Sequence, residues 1–258
     1  MTSRLFAITA WLASGHAVLF GLFWLLLAIP ESNVAMLVAS ALIVVLMIVL
    51  FGWVEGLGLL AWSAETPARQ LPQRAIPAIP VVLLGTALFV VMWYLTEQAG
   101  TWWSVHQGET DAWLMLRFGW TSTGRLHVGV GWLLAFVRYG LGITLSVALA
   151  ASVLDGGFGR VVGAGWIRKG LSPRRVLVTT VLLLVFGWLP WRGVGWRPTW
   201  LSPNWQELVF VGLKLGALYL GANLGWALVL GTSRPGVFNR TSKTPSVNGN
   251  HDSLSPTS

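Results

Sequence analysis

Residues Val34 to Trp62 read VAMLVASALIVVLMIVLFGWVEGLGLLAW, 29 residues in which Glu55 is the one charged side chain. A hydrocarbon layer ~30 Å thick is crossed by about 20 residues rising ~1.5 Å each. Backbone polar groups find no water there and must bond within the segment, which makes the stretch a transmembrane helix with length to spare. Working outward, five further apolar runs meet the same length criterion, at roughly 6–29, 76–95, 127–153, 174–190 and 207–230. The expected fold is all-α, a polytopic membrane protein of about six transmembrane helices occupying residues 1–231.

Composition agrees. The 258 residues are 55% hydrophobic and 10% charged, with no cysteine and a mean hydropathy of +0.68. A soluble domain carries about 25% charged residues. Disorder over most of the chain, a disulfide scaffold and thiol catalysis are all excluded. The first run begins behind Met-Thr-Ser-Arg4 and imitates a secretion signal, with small residues at Ala13-Ser-Gly-His-Ala17. Its apolar character continues through Leu27, too long for a signal core of about 7 to 15 residues, so a retained first helix is expected. Residues 232–258 are rich in Ser, Thr, Pro and Asn. They are expected to form a disordered cytoplasmic tail, because they cannot bury enough apolar surface to fold.

Lys and Arg set the orientation. Eleven fall on the side of the N-terminus: Arg4, Arg69 and Arg74, five between Arg160 and Arg175, and Arg234, Arg240 and Lys243. Four, Arg117, Arg125, Arg192 and Arg197, fall on the opposite side, and Arg138 and Lys214 lie inside spans. Both termini are therefore expected in the cytoplasm, with the protein in a plasma membrane or bacterial inner membrane. The formal charge of +8 belongs to the cytoplasmic face and calls for anionic lipid headgroups as partners, not nucleic acid.

Spans two–three and four–five share a layout, a basic loop with Pro and Arg before the second helix, as in Leu71-Pro-Gln-Arg74 and Leu171-Ser-Pro-Arg-Arg175. Any hydrophobic hairpin with a cytoplasmic loop needs such a loop, so the likeness does not establish a repeat. Small residues recur at helical spacing at Ala13, Ala17 and Gly21, and at Gly212, Gly216, Ala217, Gly221 and Gly225. Such faces admit close helix packing, within the bundle or between copies. The glycine-rich run from Asp155 to Gly165 superficially resembles a phosphate cradle. It follows a transmembrane helix and not a strand, so a basic, headgroup-contacting loop is the better reading.

Seventeen tryptophans stand against three tyrosines. Trp102, Trp103, Trp113 and Trp120 lie in the connection between spans three and four, and Trp188, Trp191, Trp196, Trp200 and Trp205 surround the one between spans five and six. An interfacial aromatic belt accounts for this side preference, and a Trp-lined outward cavity is the alternative. The connection from Gln98 to Gly124 is long, and a short interfacial helix is expected from Asp111 to Trp120. His106, Glu109, Asp111 and His127 gather there as candidates for acid–base chemistry, although their spacing matches no metal-ligand motif.

Ionisable side chains within spans are costly and mark function by default. His16, Glu55, Arg138 and Lys214 are such residues, and Asn223 adds a polar amide. As the only carboxylate in the interior of these spans, Glu55 is the expected counter-ion of Arg138; Lys214 is placed to snorkel. Topology alone does not choose a function. The leading expectation is a permease-like or substrate-binding bundle, or a membrane subunit. His16, Glu55, Arg138 and Lys214 would face an outward cavity shaped by Trp102, Trp103 and Trp196, holding a small molecule or lipid headgroup. An outer-face enzyme acting on lipid-linked substrates through His106, Glu109, Asp111 and His127 is the competing class, and a purely structural subunit is the third. No cofactor or metal is indicated.

Overall fold

The computed structural model describes residues 2–30, 32–62, 70–194 and 202–233. Among these residues six helices are long and apolar enough to cross a membrane: α1 (Ser3–Ala28), α2 (Val34–Ala61), α3 (Ile79–Phe118), α4 (Gly124–Gly156), α5 (Pro173–Gly193) and α6 (Trp205–Thr232). Local chemistry explains several ends. The Asn33 side chain caps α2 by accepting from the Met36 N–H at 3.0 Å. Pro173 opens α5, where its missing N–H costs nothing. Gly119 ends α3 with φ +68, a left-handed conformation that glycine adopts freely.

Each helix packs on its neighbours in sequence, and α1 also packs on α6, so the six close into a ring. Burial is concentrated toward the end where α2 and α6 finish and α3 and α5 begin. Leu12, Val54, Val229 and Leu230 are fully buried there, and the Trp62 indole N–H reaches the Ala227 carbonyl at 2.8 Å. Gly58 makes the approach of α1, α2 and α6 feasible: a Cβ there would sit 2.7 Å from Leu230 Cδ1 and 3.2 Å from Leu12 Cδ2. The same end carries Arg74, Arg168, Lys169, Arg174 and Arg175 and is called the basic end below.

Three sequence expectations change. The third span does not stop near residue 95 before a loop and a separate short helix. It runs unbroken for 40 residues, ~60 Å, because Gln98–Phe118 contains no proline and its two glycines do not suffice to end it. Asp111, read as a helix start, lies inside it. The segment after Asp155 forms two short helices, Gly159–Val162 and Gly165–Gly170, tied by the Trp166 indole N–H to the Val161 carbonyl at 3.1 Å. The small-residue faces are used only in part: Gly225 abuts Phe186, whereas Gly21, Gly212, Gly216 and Gly221 have no neighbour within 4 Å of a built Cβ. The tail from residue 234 onward lies outside the described residues.

The helices are not uniformly α. α4 widens to π-helical turns over Phe136–Leu141, α5 over Leu184–Trp188 and α6 over Val209–Leu215. Such turns add a residue per turn and re-aim the side chains beside them, often at functional sites. Arg138 and Lys214 both sit on them.

Candidate functional site

Glu55 is 4% exposed, and both its oxygens are engaged from across the ring. Oε1 lies 3.0 Å from His16 Nε2 on α1. Oε2 accepts the Trp226 indole N–H of α6 at 2.6 Å. His16 Nδ1 is in turn 2.6 Å from Asn223 Oδ1. Asn223 Nδ2 donates to the Tyr219 carbonyl at 2.9 Å, and the Tyr219 hydroxyl donates to the Ala13 carbonyl of α1. The result is one continuous polar chain, Trp226–Glu55–His16–Asn223, joining three helices where an unsatisfied polar group would be expensive.

The local sequence explains the assembly. Asn223 and Trp226 are three residues apart and therefore share one face of α6. Gly52 and Gly56 flank Glu55 on α2 and leave room for Ile79 and Ala78 at the start of α3, which seats that stretch of α2 deep in the bundle.

Glu55 and Trp226 also form part of the wall of a cavity of about 300 Å³ between α2, α3, α4 and α6. The rest of the wall is mainly apolar, with Phe51 and Phe89 as its other aromatic rings. Its two hydroxyls are satisfied within their own helices, Thr86 by the Val82 carbonyl at 3.0 Å and Ser146 by the Gly142 carbonyl at 2.8 Å. Among the described residues Glu55 is thus the one ionisable group that faces the space. A volume of this size is at the lower end of the range for small-molecule sites. A second cavity, about 480 Å³, lies at the basic end between α1, α2 and the short helix Leu71–Ala75, against Arg4 and Trp11.

Arg138 does not meet Glu55. Its Nη2 lies 2.6 Å from Glu97 Oε2, its Nε donates to Thr96 Oγ1 at 3.0 Å, and its guanidinium lies 4.6 Å above the Trp93 ring. Ending the third span near residue 95 had hidden Thr96 and Glu97 in a loop. With α3 continuous, one turn of it presents a carboxylate, a hydroxyl and an indole to α4. Arg138 is also eight residues from Ser146, ~12 Å along α4, and is not part of the cavity wall.

The outer candidates come together only in part. His127 Nε2 lies 2.8 Å from Asp111 Oδ1, and the His127 ring packs on Trp103 at 5.6 Å. Both His127 Nδ1 and Trp103 Nε1 are buried without a protein partner. His106 instead stacks on Trp102 at 4.6 Å and bonds that residue's own carbonyl at 2.8 Å. Among the described residues no group of three or more His, Asp or Glu converges as a metal site would. Trp24, Trp102, Trp113, Trp120, Trp191 and Trp205 are all at least 50% exposed, so none of them is enclosed in a cavity. Trp196 lies outside the described residues, and Lys214 sits in the π-helical part of α6, away from the wall of the central cavity.

Sequence reasoning singled out His16, Glu55 and Asn223 but missed Trp226, Tyr219, Thr96 and Glu97. The i, i+3 spacing of Asn223 and Trp226 was the available signal for the first of these. Comparison with known protein families, with curated proteins and with solved structures finds no match.

Proposed function

We propose that the chain is a permease-like, substrate-binding membrane protein whose central cavity receives a small molecule against Glu55. The observation that carries this reading is the position of Glu55: a buried carboxylate in the wall of an otherwise apolar cavity, held by partners from α1 and α6. A carboxylate serving only to join helices would not need to face an empty space of ligand size. Intramembrane ionisable groups facing a cavity are where transporters place their binding and coupling chemistry. The expected mouth toward the Trp-rich end is not part of this reading, because the cavity lies nearer the basic end and the exposed tryptophans do not line it.

By the positive-inside rule the basic end faces the cytoplasm, in a plasma membrane or bacterial inner membrane. There Arg168, Lys169 and Arg174 contact anionic headgroups. The test is native mass spectrometry of protein purified in mild detergent, comparing wild type with Ile143→Trp, which fills the cavity from α4. A co-purifying small molecule present in wild type and absent from the variant supports the reading. An identical set of adducts in both overturns it.

A further inference from the structure

Both ring nitrogens of His16 face oxygen, Asn223 Oδ1 at 2.6 Å and Glu55 Oε1 at 3.0 Å. The orientation of the Asn223 amide is set by its other half. Nδ2 donates to the Tyr219 carbonyl at 2.9 Å, and turning the amide over would bring two oxygens together. Neutral imidazole has a single N–H, which Asn223 Oδ1 takes at Nδ1, so the contact between Nε2 and Glu55 Oε1 needs a second proton, carried on either atom. The pair accordingly holds one proton between His16 and Glu55 and is neutral as a whole.

Among the described residues that line the cavity, none besides Glu55 is ionisable. From α6 come Asn223, Trp226 and the Tyr219 hydroxyl, which is spent on the Ala13 carbonyl. The cavity residues of α3 and α4 include no ionisable group, and α5 contributes none to the wall. A buried carboxylate needs one positive partner, and a second leaves uncompensated charge in a low-dielectric site.

We propose that the cavity takes a hydrophobic organic cation, an ammonium on an aromatic or branched apolar body, and takes it in exchange for the proton held between His16 and Glu55. This rests on the reading of the bundle as a small-molecule binder. The cation reaches Glu55 from the cavity side, where Phe51, Phe89 and Trp226 supply aromatic rings that favour positive charge. As it arrives, the bond to the proton held between Nε2 and Oε1 breaks, its electron pair stays on the atom that carried it, and the proton passes to water, leaving neutral His16 and ionised Glu55. Nδ1–H keeps its bond to Asn223. One positive charge enters and one leaves, so the charge of the site is unchanged. Two cations competing for one carboxylate are the minimum arrangement for coupling the movement of one to the other.

Benzyltrimethylammonium is the probe, because it has no proton of its own to release. Its binding to the full chain in detergent is followed by calorimetry, and proton release by a pH indicator in weak buffer. Wild type should release about one proton per cation bound, with affinity rising up to tenfold per pH unit while the free His16–Glu55 pair holds its proton. Glu55→Gln should weaken binding at least tenfold. His16→Gln should abolish the release and the pH dependence of the affinity it retains. Binding by wild type without proton release overturns the exchange, a result that needs no variant to fold. Failure to bind the cation, with its uncharged isostere neopentylbenzene bound and excluded by Ile143→Trp, overturns the cationic class and leaves the cavity reading intact. If neither probe binds, both fall together.

Discussion

Asn223 and Trp226, one turn apart on α6, grip opposite ends of the same ion pair. Asn223 Oδ1 lies 2.6 Å from His16 Nδ1, and the Trp226 indole N–H lies 2.6 Å from Glu55 Oε2. A single helix face thereby orients an acid from α2 and a base from α1, neither of which is near it in sequence. Each ring nitrogen of His16 and each oxygen of Glu55 thus has a partner, so the carboxylate and the imidazole are held in one geometry beside the cavity.

Glu55 and His16 should be energetically coupled. Removing one member of a buried, hydrogen-bonded ion pair costs about 3–5 kcal/mol, whereas removing both is often close to neutral. Glu55→Leu should therefore lower the thermal midpoint in detergent more than Glu55→Leu combined with His16→Leu. Additive losses in a double-mutant cycle would show that the two residues do not interact.

Trp226→Phe keeps the ring and removes the N–H donated to the carboxylate. A hydrogen bond to a charged group contributes about 1.5–3 kcal/mol, so this variant should be destabilised by that order. Trp102→Phe, at an exposed ring, should fall within about 0.5 kcal/mol of wild type. Equal effects at both sites would remove the distinction between a structural donor and a belt residue.

Arg138 and Glu97 should couple weakly, by about 0.2–1 kcal/mol, because the Glu97 side chain is 57% exposed and solvent screens the pair. Arg138→Met, Glu97→Gln and their combination supply the cycle. A larger coupling of Arg138 to Glu55 than to Glu97 would contradict the arrangement in the structure.

Continuity of α3 is open to distance measurement. Spin labels on cysteines replacing Thr101 and Met115, fourteen residues apart, should have a backbone separation of ~21 Å with a narrow distribution. A loop followed by a separate helix would give a broad distribution displaced from that value.

Orientation is accessible because the chain has no cysteine. An impermeant thiol reagent applied to intact cells should label Thr101→Cys and spare Ser172→Cys. The reverse pattern would place the basic end outside.

Membrane residence and helix number were legible without any structure, because both follow from local properties. An apolar run of sufficient length must be helical in hydrocarbon, wherever its neighbours lie. The basic-residue asymmetry was equally local. His16 and Glu55 were legible as candidates for the same reason, since an ionisable group in an apolar run is visible by contrast. Their pairing was not. Elimination by charge assigned the lone span carboxylate, Glu55, to Arg138, whereas the closure of the ring through α1 and α6 brings His16 to Glu55 and leaves Arg138 facing a turn of α3. The extent of α3 escaped for a related reason: between residues 98 and 118 the side chains turn polar, which looks like a loop, while the backbone meets no signal strong enough to end a helix before Gly119. The cavity also exists only in three dimensions, as space left between four helices whose individual sequences record nothing of it. Partner choice depends on which helices adjoin, and only tertiary packing decides that.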